Sequence, residues 1–383
     1  MRELPLFPVT TVGSWPRPPE LLQALRARRR GELSRERFDE VAGAAVRQAL
    51  GAQEEAGVDL VTDGEQARDN FYSFVAEKLD GVKLLSLAEM FDLVEDKEGF
   101  RRLLDTLDVP AYSIFNPTCV GPVRRREPLA EADYRRLRAL TDRPVKITLP
   151  GPYLLTRAMW VKEASREFYP TKEDLGEAVV ALLGDEVASL ADRGADFIQL
   201  DEPVLTELVF AQGRTRTFMC ASLAARKDPK EELEFAVSLL ARVLARAGDT
   251  RTGLHVCRGN WSRDESTLLS GHYAPLSPWL ERIPVTQLVL EYATPRAGTL
   301  VAPGEKELGL GVVNPRIDAI ETPGQIVDRA RAALAEVEPR RLFLNPDCGF
   351  GTFASRPMNR PEAAKRKLSA MAAAARRLRE EFD

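Results

Sequence analysis

Eight short apolar runs recur along the chain, at residues 10–15, 59–65, 145–151, 197–202, 253–258, 287–292, 308–314 and 342–348, with helical stretches between most of them. Such alternation implies parallel strands joined by right-handed crossovers. Eight units in one chain of 383 residues predict an α/β architecture, a (β/α)8 TIM barrel rather than an open sheet. A ninth apolar stretch near 112–123 exceeds that count, so this segment or one near the N-terminus is expected outside the barrel. The rhythm breaks between about residues 83 and 126, where a charged helical piece (87–107) precedes Pro-rich coil. That stretch reads as an insertion capping the barrel. With no low-complexity segment or Pro/Ser linker, residues 1–383 are expected to form one domain.

Two units look alike. Gly57-Val-Asp59 and Gly194-Ala-Asp196 each place a glycine where a helix ends, then an apolar run closed by acids. A glycine there takes the left-handed conformation that caps a helix. The last helix is expected to start near Pro361 and to bury Leu368, Met371, Ala375 and Leu378 on one face. A composition of 44 % hydrophobic and 29 % charged residues suits a globular chain with an ample core. The net charge of −4, with no basic stripe, argues against nucleic acid as a partner. No apolar run reaches the roughly 18 residues that span a bilayer. The first residues lack a signal-peptide core, so the cytoplasm is the expected location. Four widely spaced cysteines do not form a disulfide framework.

The chemistry gathers at the ends of the apolar runs. His255 and Cys257 stand two apart in one run, and on a strand such residues point to the same side. Glu291 and Cys348 close two later runs. Two thiolates, an imidazole and a carboxylate form a plausible zinc set. Taken singly, each has an ordinary explanation as a small core cysteine or a satisfied core histidine. Cys119 and Cys220 keep that ordinary reading. Ser14, the Asp63-Gly-Glu65 turn and the Asp201-Glu202 pair also stand at run ends. Acids at a barrel mouth suit the ammonium of an amino acid, and Ser14 suits its carboxylate. Asp63 and Asp201 could instead cap the helices that follow, the ordinary role for one acid of each pair. Paired carboxylates also fit glycoside hydrolysis, but that leaves the Cys/His pattern unexplained.

Together these motifs resemble the catalytic C-terminal domain of cobalamin-independent methionine synthase. The resemblance runs through Thr10-Thr-Val-Gly-Ser-Trp-Pro16, Asp63-Gly-Glu65, Leu149-Pro-Gly-Pro152, Gln199-Leu-Asp-Glu-Pro203, His255-Val-Cys257, Leu290-Glu291, Gly309-Leu-Gly-Val312 and Asn345-Pro-Asp-Cys-Gly349. It covers nearly the whole chain in order. It implies a barrel fold and a zinc (Zn2+) site made by His255, Cys257, Glu291 and Cys348. It further implies homocysteine held by Ser14, Glu65 and Asp201, with zinc on its sulfur and methionine as product.

Three departures stand out. The full-length enzymes carry a second, N-terminal barrel that helps hold a polyglutamylated methyl-folate. This chain has room for one barrel, which leaves a methyl-folate or a corrinoid protein as methyl donor. Arg316 stands where the family has a histidine thought to protonate the donor's leaving nitrogen. Arginine stays charged and is a poor general acid at neutral pH. Methyl-folate needs that proton and a methyl-corrinoid does not. The spacing from Cys257 to Glu291 is stretched, which makes Glu281 the nearest competing acid. The alternatives are zinc-dependent alkyl transfer to another thiol of the coenzyme M kind, and a non-catalytic protein in which zinc is structural or senses a thiol. Tyr153 and Trp160 could stack on a pterin, or pack in the core.

Overall fold

The last six apolar runs form consecutive parallel strands. In the computed structural model, which describes residues 2–93, 97–98, 101, 115–210 and 228–382, they are β3 (Lys146–Pro150), β4 (Phe197–Asp201), β5 (Arg251–Val256), β6 (Gln287–Leu290), β7 (Glu307–Val313) and β8 (Leu342–Pro346). Each pairs in parallel with the next in sequence order. Helices cover the outside, as the βα alternation requires.

The first two runs join the ring without becoming full strands. Single parallel bridges link Val9 to Leu344, Thr10 to Leu60 and Val61 to Val145, which carries the pairing from β8 round to β3. The strands expected at 10–15 and 59–65 are thus reduced to points of contact. Side chains explain the loss. Gln53 Nε2 donates to the Thr62 carbonyl, its Oε1 accepts the Thr62 N–H, and Thr62 Oγ1 donates to the Gly13 carbonyl. These groups take the backbone bonds that a neighbouring strand would have made. Beyond Thr62 the chain turns through Gly64 and Glu65, both at positive φ (69° and 53°).

The ninth apolar stretch lies outside the ring. Phe115–Arg125 is β2, and it pairs antiparallel with β1 (Leu79–Ser86). The hairpin therefore begins before residue 83. Of the charged piece at 87–107, Leu87–Leu93 is helical and most of the remainder lies outside the described residues. Gly81 sits at the bulge of the hairpin with φ +76°, and a Cβ there would come within 2.3 Å of the Pro122 carbonyl oxygen. The hairpin packs on the segment after β3: Asn116 Nδ2 donates to Ala158 O (2.6 Å), and Ser165 Oγ donates to Cys119 O (2.9 Å).

Local sequence sets the helices. Ser34 caps helix Arg35–Ala56, and Gly57 ends it in the left-handed conformation at φ 86°. Thr171 and Asp174 form a capping box on helix Lys172–Asp192, and Gly194 follows at φ +81°. The C-terminal helix Pro361–Phe382 buries Leu368, Met371, Ala375 and Leu378. Among the described residues no helix is long and apolar enough to cross a membrane.

Candidate metal centre and amino-acid pocket

β5 and β8 end side by side in function though not in pairing. His255 lies near the end of β5, Cys257 just past it, and Cys348 two residues beyond β8. One donor atom from each lies within 4.8 Å of the others. Cys348 Sγ is 3.6 Å from His255 Nε2. Zinc bonds of about 2.3 Å to sulfur and about 2.05 Å to nitrogen at a tetrahedral angle put those two atoms roughly 3.5 Å apart, so the donor set fits the ion. The His255 ring is oriented by its other nitrogen, with Nδ1 3.3 Å from the Val289 carbonyl.

The three groups share protons unevenly. A hydrogen bond from Cys348, opposed by burial and helped by His255, brings the Cys257 thiol down to about 5. The same bond to Cys257, with burial, pushes Cys348 well up. Burial pulls the His255 imidazole down, but its hydrogen bond to Cys257 and the charges of Cys257, Asp201 and Glu291 outweigh that and raise it to about 9. A thiolate at neutral pH is the form that binds a metal.

Glu291 does not join this group. It follows β6 and is fully enclosed, and both of its oxygens are engaged by arginines. Oε1 accepts from Arg296 Nη2 and Arg316 Nη1, each at 3.2 Å. Oε2 accepts from Arg296 Nη2 and from the Arg258 N–H, each at 3.1 Å. Burial would raise its carboxyl, but Arg296, Arg316 and Arg258 hold it below its ordinary value. The competitor Glu281 is exposed on helix Ser277–Arg282.

Arg316 is a buried junction. Besides Glu291 it reaches Asp347 Oδ2 (3.2 Å), Glu265 Oε1 (3.1 Å) and Asn260 Oδ1 (3.3 Å). Burial works against its charge, but Glu291, Asp347, Cys348 and Glu265 raise its pKa above the ordinary value. Asp347, one residue before Cys348, accepts the Tyr292 and Ala293 N–H groups at 2.9 and 2.8 Å. Sequence reasoning passed over Arg258, Arg296, Asn260 and Asp347. Two of them had a signal, since they adjoin Cys257 and Cys348 in the chain.

The three residues expected to hold an amino acid meet the same end of the ring. Asp201 pairs in register with His255 across β4 and β5. Its Oδ1 accepts from Gln199 Nε2 at 2.8 Å, and burial, opposed by His255, raises its carboxyl to about 7. Glu65 Oε1 accepts from Thr148 Oγ1 (2.9 Å), while its buried Oε2 has no hydrogen-bond partner among the described residues. Ser14 Oγ stands so close to Gly349, the residue after Cys348, that a Cβ there would lie 2.1 Å from it. The capping expected of Asp201 falls instead, and on an earlier helix, to its neighbour Glu202. Its Oε2 accepts the Tyr153 N–H at the start of helix Pro152–Met159, which follows the neighbouring strand β3. Tyr153 and Trp160 pack in the core, with their polar ends bonded to Glu232 and to the Tyr169 carbonyl. Cys119 is buried with its Sγ 3.3 Å from the Gly121 carbonyl, and Cys220 lies outside the described residues.

A parallel ring with acids at its strand ends and a His/Cys/Cys group that could hold a metal ion defines an α/β barrel with a metal-binding mouth. The chain belongs to the cobalamin-independent methionine synthase family, matching "Cobalamin-independent synthase, Catalytic domain" over residues 7–377, and it is a methyltransferase. It is 29 % identical to the methionine synthase of Pyrococcus abyssi over 386 residues, covering 100 % of this chain and 95 % of that one. It is 28 % identical to the methionine synthase of Sulfurisphaera tokodaii over 353 residues, covering 91 % and 88 %. In fold it is similar to a B12-independent methionine synthase from Shewanella sp. W3-18-1, with TM-score 0.70, 23 % identity and coverage of 98 % and 99 %. It is also similar in fold to a methyltransferase from Methanosarcina mazei, with TM-score 0.57, 15 % identity and coverage of 99 % and 95 %.

Proposed function

We propose that this methyltransferase moves a methyl group onto the thiol of homocysteine to give methionine, with zinc held by His255, Cys257 and Cys348. One observation carries the reading: a donor group suited to a thiol-binding metal adjoins acids suited to an ammonium, through the Asp201–His255 register. Zinc in such a shell supplies a Lewis acid that keeps a bound thiol as thiolate, the nucleophilic form. Asp201 and Glu65 take the substrate ammonium. Glu65 offers its unpartnered Oε2, and Asp201 offers the oxygen that Gln199 leaves open. Ser14 donates its hydroxyl to the substrate carboxylate beside Gly349. Holding the sulfur and the methyl donor in line at one barrel mouth supplies the proximity part of catalysis.

The relatives' name supports this reading, as does the Shewanella protein's structure with selenomethionine, the selenium counterpart of the product. The donor is a methyl-folate or a methyl-corrinoid. Arg316, held by three carboxylates, has no proton to give at neutral pH, which favours the corrinoid because its methyl leaves without protonation. A coenzyme M-like acceptor carries a sulfonate, which Glu65 and Asp201 would repel. We read residues 1–383 as one domain, with the segment around the hairpin as its cap.

The test is an assay of zinc-loaded protein with homocysteine and, separately, methyl-folate (mono- and triglutamate) and methylcobalamin. Methionine formation with either donor is expected. Its absence with both, while another thiol is methylated, would overturn the acceptor assignment.

A further inference from the structure

Glu291 is expected by resemblance to ligate the metal, yet the fold surrounds it with positive charge. A carboxylate oxygen accepts about two strong hydrogen bonds, and both oxygens of Glu291 already have two. Reaching a metal would break at least one charge-assisted bond inside a fully buried cluster. Arg316 cannot follow the carboxylate. Its Nε and Nη2 are tied to Glu265 and Asp347, and the Nη1 that meets Glu291 also donates to Asn260, three partners on separate segments. Arg258 cannot follow either. Its Nε donates to Gly271 O (2.6 Å), its Nη2 to Ala297 O (3.2 Å), and its guanidinium lies 3.9 Å from the Tyr273 ring centroid.

Resting on the zinc reading above, we propose that Arg258, Arg296 and Arg316 hold Glu291 off the metal in the substrate-free protein. His255, Cys257 and Cys348 are then its three protein ligands, and the fourth position stays open to a ligand from outside. Arg316 is a positioning residue in this scheme. Two thiolates and a neutral imidazole leave the Zn2+ shell formally neutral, where a bound carboxylate would make it −1. A neutral shell attracts an incoming thiolate more strongly, and the substrate sulfur would displace an exchangeable water instead of a protein carboxylate.

The experiment starts from zinc content, which separates the two readings. One zinc per chain in the parent protein, lost in Cys348→Ser, establishes the metal independently of its fourth ligand. The crystal structure of zinc-loaded, substrate-free protein then decides. A water in the fourth position and the Glu291–Arg316 pair intact are expected. A Glu291 oxygen at about 2.0–2.2 Å from zinc would overturn the proposal while leaving the methyl-transfer reading standing. Cobalt-loaded protein gives a second readout. Azide should shift the visible bands of the parent and of Glu291→Gln alike. Arg316→Gln should free the carboxylate to bind the metal and weaken azide binding about ten-fold or more. If Arg316→Gln fails to fold, Arg296→Gln takes its place. A parent spectrum indifferent to azide, or one changed by Glu291→Gln alone, counts against the arginine clamp.

Discussion

The two sides of the barrel mouth carry equally buried carboxylates with different partners. On the β6–β8 side, Glu291 and Asp347 are bound by guanidinium groups and backbone N–H groups. Glu291, with three arginines about it, stays below its ordinary pKa, while burial and the Glu291 charge raise Asp347 to about 6 against the pull of Arg316. On the side formed by β4 and the N-terminal segments, the partners of Asp201 and Glu65 are an amide and a hydroxyl, and Asp201 rises to about 7. Lys146 is a cation whose charge both of these acids feel. It donates to the Thr11 carbonyl, and burial brings it down to about 7. Burial alone therefore does not set the state of a carboxylate. What decides is the balance of burial and like charge against the guanidinium groups at hand: three arginines outweigh burial at Glu291, while the one bonded to Asp347 does not. On the β4 side the hydrogen bonds among the described residues bring no guanidinium onto the carboxylates of Asp201 and Glu65, which is why the proposed ammonium site is placed there.

The sharpest break in this comparison is at the donor group. Cys348→Ser and His255→Ala should each leave well under one zinc per chain by mass spectrometry and lower methyl transfer by roughly a thousand-fold or more. One zinc and full turnover in both variants would remove the metal from the account. On the acid-rich side, Asp201→Asn should keep its zinc but weaken homocysteine binding by about 10- to 100-fold in calorimetry, the range for a hydrogen bond to a charged group. Unchanged affinity would show that the ammonium binds elsewhere.

The raised Asp201 carboxyl also predicts a pH dependence. Below about 7 it takes up a proton and loses the charge that binds an ammonium. Methionine, which has no thiol, should bind about ten-fold more weakly per pH unit below 7, and the Asp201→Asn variant should lose that slope. A flat profile in the parent would place the ionised acid elsewhere.

The smallest effect is on stability. Between its ordinary value of 3.8 and about 7, Asp201 holds a proton in the folded chain that the unfolded chain has released. Folding stability from this group therefore falls as pH rises through that window. In the zinc-free protein, Asp201→Asn should raise Tm by a few degrees more at pH 8 than at pH 5. Equal shifts at both pH values would show that the carboxyl is not strained by burial.

Much of the fold was legible because its signals are local. Runs of apolar residues, Gly57 and Gly194 behind their helices and Pro361 at the head of the last helix all act within a few residues. His255 and Cys257 were legible together, since the two-residue strand repeat puts both on one side. The reduction of the first two strands to bridges at Val9, Thr10 and Val61 was not, because the backbone bonds of the next residue, Thr62, go to Gln53, on a helix between the two runs in sequence. Nor was the hairpin's start at Leu79, whose partner is the distant Arg125.

The sequence by itself determined the order of the parallel ring and the residue types at its mouth, since strand periodicity and helix capping are short-range. Only the tertiary structure decided which acid would meet a cation. Arg316, Arg296 and Arg258 come from three separate loops to enclose Glu291, while Glu65 and Asp201, no less buried, receive no such partner. Electrostatic pairing acts through space and across the whole chain, so no local pattern of residues encodes it.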